Sequence, residues 1–288
     1  MNGGVAVAIF SGKARLAGVM GWPVAHSLSP RLHGYWLDHY GIDGVYVPLA
    51  VHPSNLQQAI EALPRLGFCG LNVTVPHKET VMQYLDHVDE TARRIGAVNT
   101  ISFDENGQSH GTNTDAFGFI ENILYSLPDW DFSKGPVVVL GAGGAARAIC
   151  VALLDAGVPE IRLLNRTLQR AETLRGDIGG GISVLDWQSR NDGLSDVAMV
   201  VNTTTLGMTG QPPLDMDLRN LPVQACVTDI VYAPLQTDLL IEATERGNLV
   251  VDGIGMLLHQ ARPGFEAWFG RAPDVTAKQR THVLEAIG

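Results

Sequence analysis

A glycine-rich segment in the middle of the chain has the residue types and the spacing that bind a nucleotide phosphate. The run Gly141-Ala142-Gly143-Gly144-Ala145-Ala146 fits the pattern G-x-G-x-x-A, and it stands directly between an apolar run and a helical pattern. The first glycine permits a tight turn, the second lets the backbone approach a pyrophosphate, and the final alanine lets helix and strand pack closely. Free N–H groups at the helix start would then bind the phosphates. The segment predicts a dinucleotide site, with S-adenosylmethionine binding and an ordinary tight turn as the alternatives.

The end of the next apolar run bears on which dinucleotide would bind. An NAD site usually has Asp or Glu at this place, where the carboxylate binds the ribose 2′-hydroxyl. Here the run leads into Asn165-Arg166-Thr167, with Arg170 one turn further along. No carboxylate repels a 2′-phosphate there, and two guanidinium groups can pair with it through parallel N–H donors. The pattern favours NADP over NAD, unless both arginines merely solvate the start of a helix.

Four polar clusters precede the glycine segment and could form a second site. Each alone has a structural explanation, since Ser29 could cap a helix before Pro30 and Asn99 could close a turn. Four of them in order, ahead of a dinucleotide fold, instead indicate a site for a polar ligand. The clusters are His26-Ser27-Leu28-Ser29-Pro30, Asn72-Val73-Thr74-Val75-Pro76-His77-Lys78, Gly96-Ala97-Val98-Asn99-Thr100 and Gly111-Thr112-Asn113-Thr114-Asp115.

Alternating strand and helix patterns surround both groups of motifs. In the second half of the chain the alternation is typical of a doubly wound parallel sheet of the Rossmann kind. Its strands are predicted at 136–140, 161–164, 197–202, 226–231 and 249–251, and its helices at 145–156 and 234–245. The first half predicts a separate α/β layer, with strands at 16–20, 45–49, 70–75 and 97–103 and helices at 30–40, 55–66 and 77–85. Helices at 256–269 and 277–286 are expected to return and pack on the first domain.

Size and composition exclude several classes of protein. The 288 residues are enough for two domains, and the net charge of −10 argues against a nucleic-acid partner. The three cysteines include no CxxC pair and the nine histidines have no metal-binding spacing, so we expect no metal site. The short apolar run at 5–10 does not resemble a signal peptide, and no run approaches the ~20 apolar residues of a membrane span. The composition therefore predicts a cytoplasmic protein whose partner is a small molecule rather than a membrane.

Taken together, the motifs are similar to those of the shikimate dehydrogenase family. The matching segments extend from Gly21-Trp22-Pro23 to Gln260 and include residues 252–260, DGIGMLLHQ, and one departure is Gly34, where many relatives have Asn. The resemblance implies a substrate domain formed by 1–114 and 254–288, and a Rossmann NADP domain at 115–253. It also implies the reversible, NADP-dependent reduction of 3-dehydroshikimate to shikimate, a step in aromatic amino acid biosynthesis.

The same resemblance implies roles for individual residues. Lys78 and Asp115 correspond to the catalytic pair of the family. The two serines of the first cluster would bind the substrate carboxylate. The substrate contacts implied are Ser27, Ser29, Thr74, Lys78, Asn99, Asp115, Tyr232 and Gln260. The cofactor contacts implied are Glu90, Gly141, Ala142, Gly143, Gly144, Ala145, Asn165, Arg166, Thr167, Arg170, Ile230 and Gly253.

Reduction of a ketone by hydride requires groups of the kind that Lys78 and Asp115 supply. Hydride transfer to a ketone creates an alkoxide, which needs a cation or a proton donor beside the oxygen. Lys78 can supply either, with Asp115 orienting it, and whether the lysine relays a proton or acts mainly through its charge stays open. A quinate or dual quinate/shikimate dehydrogenase would carry the same clusters and is the nearest alternative. A non-catalytic metabolite sensor is disfavoured because Lys78 and Asp115 are both present, and a homodimer is compatible with the sequence.

Overall fold

Two six-stranded sheets organise residues 10–287, which are the part of the chain that the computed structural model describes. The predicted apolar run at 5–10 lies outside this part, except for Phe10. The expectation of two α/β layers is confirmed, since one sheet is mixed and the other is entirely parallel. Among the helices of residues 10–287, none has the length and apolar character that crossing a lipid bilayer demands.

The first layer consists of the mixed sheet and the helices that follow its strands. It contains the four polar clusters, most of them at the ends of strands or at the starts of helices. Its elements are β1 Arg15–Gly21, α1 Ser29–Tyr40, β2 Gly44–Ala50, α2 Leu56–Ala62, β3 Phe68–Val73, β4 His87–Val88, α3 Glu90–Ile95, β5 Thr100–Phe103 and β6 Ser109–Thr112. Helix α4, Asp115–Ser126, follows them and leads to the second layer.

A hairpin makes the first sheet mixed. Strands β1, β2 and β3 are parallel, whereas β5 runs antiparallel to both β3 and β6, in the order β2-β1-β3-β5-β6-β4. The carboxylate of Asp104 closes the turn between β5 and β6 by accepting hydrogen bonds from the N–H groups of Asn106 and Gln108, at 2.8 and 2.9 Å. The sequence patterns do not predict β6, because its residues Ser-His-Gly-Thr show no apolar alternation.

Of the predicted helices in this layer, the one at 77–85 is wrong and the one at 55–66 is right except at its end. The segment 77–85 forms a turn and then a short 3₁₀ helix, Thr80–Tyr84, because the backbone carbonyl of Lys78 accepts from the Val98 N–H at 2.8 Å. This bond to a distant loop uses the carbonyl that an α-helix would need. The segment 55–66 is α-helical as far as Ala62 and ends in a 3₁₀ turn at Pro64–Leu66, since Pro64 lacks the N–H that would continue the α-helix.

The second layer has the strand order β12-β11-β10-β7-β8-β9, which is the order of a doubly wound Rossmann sheet. The order reverses between β7 and β10, so the loops that follow these two strands flank one crevice. The strand predictions agree with the structure to within two residues, but α7 begins at Asp238 and not at Pro234. The elements are β7 Val137–Leu140, α5 Gly144–Asp155, β8 Ile161–Leu164, α6 Leu168–Ile178, β9 Ile182–Leu185, β10 Met199–Asn202, β11 Cys226–Asp229, α7 Asp238–Glu245 and β12 Leu249–Val251.

The last two helices, α8 (Ile254–Phe269) and α9 (Ala277–Leu284), return to the first layer as expected. The buried indole of Trp268 on α8 donates its N–H to the backbone carbonyl of Ile101 in β5, at 3.0 Å. A Cβ atom on Gly70 of β3 would lie 2.1 Å from the indole nitrogen. Only glycine therefore allows the helix to approach the sheet so closely.

Helix α4 packs on α8 and connects the two layers. A Cβ atom on Gly118 of α4 would lie 2.5 Å from the Cβ atom of Gln260 on α8. One turn later, the Asn122 side chain donates to the backbone carbonyl of Asp252 at 2.8 Å. Because the polar residues Asp115 and Gln260 lie on these two helices, the close packing holds one relative to the other.

Candidate active site

A cleft of about 270 Å³ lies between the two layers. All eight residues predicted to bind substrate line it, although they are dispersed from Ser27 to Gln260. Three of the predicted cofactor residues, Ala145, Ile230 and Gly253, line the same cleft. The substrate-side lining comprises Ser27, Ser29, Thr74, Lys78, Asn99, Asp115, Tyr232 and Gln260.

Lys78 and Asp115 form an ion pair inside this cleft. The Lys78 Nζ atom lies 2.5 Å from Asp115 Oδ2, and the two side chains are 20% and 7% exposed. Lys78 follows β3, whereas Asp115 is the first residue of α4. A Cβ atom on Gly144 would lie 3.8 Å from Lys78 Cδ, so the lysine side chain passes the start of α5. The pair therefore lies beside the glycine segment, where a bound nicotinamide could reach it.

Asn99 holds the Asp115 carboxylate from the other side. Its NH₂ group donates to Asp115 Oδ1 at 2.8 Å and lies 3.3 Å from Gln260 Oε1. Its oxygen accepts from the backbone N–H of Thr114 at 2.8 Å. A backbone N–H only donates and an ionised carboxylate only accepts, so the orientation of the amide is determined. Each carboxylate oxygen of Asp115 thus has one partner and keeps a lone pair for a ligand hydroxyl.

The serine pair, Ser27 and Ser29, lines the same cleft. Ser29 is buried at the start of α1, where Pro30 takes an early helix position, and its backbone N–H donates to the Ser27 hydroxyl at 3.3 Å. Tyr232 completes this wall, and burial raises the pKa of its hydroxyl, which therefore stays neutral at pH 7. These hydroxyls can donate to a carboxylate without burying a countercharge.

A second cavity, of about 240 Å³, follows the crevice between β7 and β10. Six of the predicted cofactor contacts line it. Its other lining residues, four in the loop after β10 and Trp187, were not predicted from the sequence. Gly141 has φ of +111°, and a Cβ atom there would lie 2.5 Å from Thr203 Oγ1, so the turn requires glycine. The lining residues are Gly141, Ala142, Gly143, Asn165, Arg166, Arg170, Trp187, Thr203, Thr204, Thr205 and Leu206.

The cationic end of this cavity fits a phosphate. Arg166 and Arg170 are both exposed, and within residues 10–287 neither forms an ion pair. Gly143 leaves open space, since a Cβ atom there would have no neighbour within 4 Å. Two free guanidinium groups beside an open backbone suit a nucleotide that carries an additional phosphate.

Asp229 is a buried carboxylate at the end of β11, next to the cofactor side of the cleft. Its oxygens accept from the Asn202 side chain at 3.0 Å, the Val231 N–H at 2.9 Å and the Thr237 hydroxyl at 2.8 Å. Burial raises the pKa of Asp229 to about 6, against the lowering effect of these three bonds. The carboxylate ties the loop that contains Ile230 to the end of β10.

Replacing Asp229 with asparagine is expected to change the pH dependence of stability. The pKa of about 6 in the folded protein exceeds the ordinary 3.8, so protonation of Asp229 favours folding. Its stabilising contribution is fully present below about pH 4 and is lost as the pH rises through about 6. Asparagine cannot ionise, so the variant does not lose this contribution. The difference in free energy of unfolding, variant minus wild type, should therefore rise by about 1–3 kcal/mol between pH 4 and pH 7. Urea unfolding at several pH values measures this gain, and a difference that stays constant with pH contradicts it.

Some cofactor residues predicted from the sequence line neither cavity. Glu90 is exposed at the start of α3, Thr167 precedes α6, and Gly144 is the first residue of α5. Conversely, Asn72 lines the cleft although the sequence analysis quoted it only as part of a motif. The loop after β10 was recognisable only from its place at the carboxyl end of a parallel strand. Within residues 10–287, no three His, Cys, Asp or Glu side chains come close enough together to hold a metal ion.

Comparison with known proteins assigns the chain to a family. The shikimate dehydrogenase substrate binding domain matches residues 19–101, the shikimate/quinate 5-dehydrogenase domain residues 126–207, and the shikimate 5-dehydrogenase C-terminal domain residues 253–277. The shikimate dehydrogenase (NADP+) of Paramagnetospirillum magneticum is 62% identical over 95% of this chain and 99% of that protein. The chain belongs to the shikimate dehydrogenase family. The predictions of family, fold class and NADP-dependent oxidoreductase activity are thereby confirmed.

Solved structures of the shikimate dehydrogenase family share the whole architecture. A shikimate 5-dehydrogenase from Thermus thermophilus, solved with NADP(H) and shikimate, has a TM-score of 0.82 and 36% identity over 95% of this chain and 98% of that one. A quinate dehydrogenase from Corynebacterium glutamicum, solved with NAD, has a TM-score of 0.87 and 32% identity over 94% and 99%. Because both superimpose closely, the fold alone does not distinguish the two substrates.

Proposed function

We propose that this member of the shikimate dehydrogenase family reduces 3-dehydroshikimate to shikimate with NADPH, and that Lys78 and Asp115 assist the chemical step. The observation that carries this proposal is the ion pair of 2.5 Å beside the start of α5, within a cleft lined by both layers. NADPH supplies the hydride when bound. Lys78 from the first layer then faces the reacting oxygen from one side, and the glycine segment of the second layer holds the dinucleotide on the other.

In this proposal Lys78 and Asp115 act on one substrate oxygen. The ammonium of Lys78 stabilises the alkoxide that forms when the ketone accepts hydride, and it donates the proton that completes the alcohol. Asp115 holds the lysine and accepts a hydrogen bond from the substrate hydroxyl. The ketone, a hydride and a proton together give the alcohol, and the reverse reaction returns the proton to the Lys78 amine.

The remaining polar residues of the cleft would orient the substrate. Ser27 and Ser29 would donate to its carboxylate, and Thr74, Asn99 and Gln260 would bind the ring hydroxyls. A site built for several hydroxyls rejects analogues that lack them, since its own polar groups would then be buried without partners. Tyr232 would close the wall. We propose that Glu90, Gly141, Ala142, Gly143, Gly144, Ala145, Asn165, Arg166, Thr167, Arg170, Ile230 and Gly253 bind the cofactor.

The organisation of the protein is proposed on the same basis. The substrate domain would comprise 1–114 and 254–288, and the NADP domain 115–253, because α8 and α9 pack on the first layer. All three cysteines are free, which is typical of proteins in the reducing cytoplasm. A homodimer is proposed as the assembly, and the molar mass in solution would test it.

A steady-state assay at the NADPH absorbance band tests the proposed function. Shikimate and quinate are compared as substrates, each with NADP+ and with NAD+. The proposal predicts that shikimate with NADP+ gives a kcat/KM at least an order of magnitude above the other three pairs. Equal rates with quinate would instead identify a dual quinate/shikimate dehydrogenase, and no oxidation of shikimate would contradict the proposal.

A further inference from the structure

Tyr46 is a buried tyrosine that the mechanism above does not use. It lies on β2, only 7% exposed, and its hydroxyl is 2.6 Å from Asn72 Oδ1. Asn72 in turn lines the substrate cleft, two residues before Thr74. Tyr46 itself does not line the cleft, but it contacts two residues that do, Asn72 through its hydroxyl and Ser29 through a side-chain hydrogen bond. The route through Asn72 is the one that continues to the catalytic carboxylate.

The hydrogen bonds of Asn72 have a determined direction. Its NH₂ group lies 3.2 Å from the backbone carbonyl of Asn99, which can only accept. The amide oxygen of Asn72 therefore faces Tyr46, and the Tyr46 hydroxyl is the donor. The same NH₂ group donates to the Thr100 hydroxyl at 3.1 Å.

The chain of donors continues to the catalytic carboxylate. The Thr100 hydroxyl donates to the amide oxygen of Asn99 at 3.1 Å, and the Asn99 NH₂ group donates to Asp115 Oδ1 at 2.8 Å. Four hydrogen bonds thus point the same way, from Tyr46 to Asp115. In a buried setting such bonds polarise and strengthen one another.

The Tyr46 ring has little freedom to move its hydroxyl elsewhere. It is stacked on the imidazole of His33, with ring centroids 3.9 Å apart and an interplanar angle of 1°. The Trp268 ring is the second aromatic neighbour, with its centroid 6.0 Å from that of Tyr46. Burial lowers the pKa of His33 to about 3, so the stacked imidazole is neutral at pH 7. The hydroxyl is therefore held at a place set by α1 and α8.

We propose that Tyr46 is a positioning residue for the substrate site. Its hydroxyl holds the Asn72 amide and, through Thr100 and Asn99, keeps the Asp115 carboxylate aimed at Lys78 and the substrate hydroxyl. This inference rests on the proposed function. Without the tyrosine hydroxyl, the buried amide oxygen of Asn72 loses its donor, so the amide turns to another partner and the order of the chain is lost.

The substitution Tyr46→Phe tests the inference, since it removes one hydroxyl and keeps the ring. We expect kcat/KM for shikimate to fall about 10-fold, while the KM for NADP+ changes less than about twofold. A general loss of folded protein would lower kcat and leave both KM values unchanged, so the rates are normalised to the folded protein, measured by thermal unfolding and by titration with NADP+. The matched control is Tyr40→Phe, which removes a hydroxyl that accepts from the Asp274 N–H at 3.0 Å, away from the cleft. This control should behave like the wild type, and Tyr46→Phe at the same level would overturn the inference.

A double-mutant cycle with Asn72→Ala supplies the second readout. If Tyr46 acts through Asn72, the double variant loses no more kcat/KM than Asn72→Ala alone. Losses that multiply would overturn the proposed route. The activity of the wild type distinguishes failure of the proposed function from failure of this inference. If the wild type does not oxidise shikimate, both fail. If the wild type is active and Tyr46→Phe equals it, only the inference fails.

Discussion

Replacing Lys78 with alanine is expected to lower kcat for shikimate oxidation by about 10²–10⁴, with only a small change in KM. The loss follows from removing the group that exchanges a proton with the reacting oxygen and stabilises its charge. Substrate affinity should change little, because the two serines, Asn99 and Gln260 keep their hydrogen-bonding groups. Initial rates at saturating NADP+ measure both constants.

The control for this variant is Lys13→Ala, which removes an exposed lysine near the start of the described chain. It should retain wild-type rates. Thermal unfolding of both variants checks that the Lys78 variant is folded. We expect it to fold, because the hydrogen bond from Asn99 to Asp115, at 2.8 Å in the wild type, does not involve the lysine. Near-normal turnover of a folded Lys78→Ala protein would show that the ion pair is structural.

Replacing Arg166 with alanine is expected to raise the KM for NADP+ about 10- to 100-fold, the scale of a lost charged hydrogen bond. The KM for NAD+ should change less than about threefold, because NAD+ has no 2′-phosphate for the guanidinium to bind. The expectation depends on Arg166 being exposed and on its lack of an ion pair within residues 10–287. Steady-state kinetics with the two cofactors measure the ratio.

Arg175→Ala is the matched control, since Arg175 lies on the same helix α6 and pairs there with Glu172 at 2.6 Å. It should leave both cofactor constants unchanged. Equal losses for NADP+ and NAD+ in Arg166→Ala would remove the argument that this arginine recognises the 2′-phosphate. In that case the loop after β10, with Thr203 and Thr204, would be the next place to test.

The parts of the site that could be predicted from sequence are those with local causes. The glycine segment was predicted because a turn before a helix requires particular residues within six positions. The second sheet followed from apolar runs that end at the same edge, and this edge brings the glycine segment and the loop after β10 together. The cleft lining was predicted because the four polar clusters match a family pattern.

What could not be predicted depends on contacts between distant residues. The 77–85 segment looks helical, yet the bond between the Lys78 carbonyl and the Val98 N–H directs it otherwise. Strand β6 has no apolar alternation of its own and is held by pairing with β5 on one side and β4 on the other. Tyr46 gives no local signal at all, since its role arises when β2 and β3 place its hydroxyl beside Asn72.

The central claim is that Lys78 of the first layer and Asp115 at the start of α4 face a nicotinamide held by the second layer. A crystal structure of the protein with NADP+ and shikimate tests it most directly. The account predicts Lys78 Nζ and an Asp115 oxygen within hydrogen-bond distance of one ring hydroxyl, whose carbon lies about 3–3.5 Å from the nicotinamide. A shikimate ring bound away from this pair, or a nicotinamide that points out of the cleft, would contradict it.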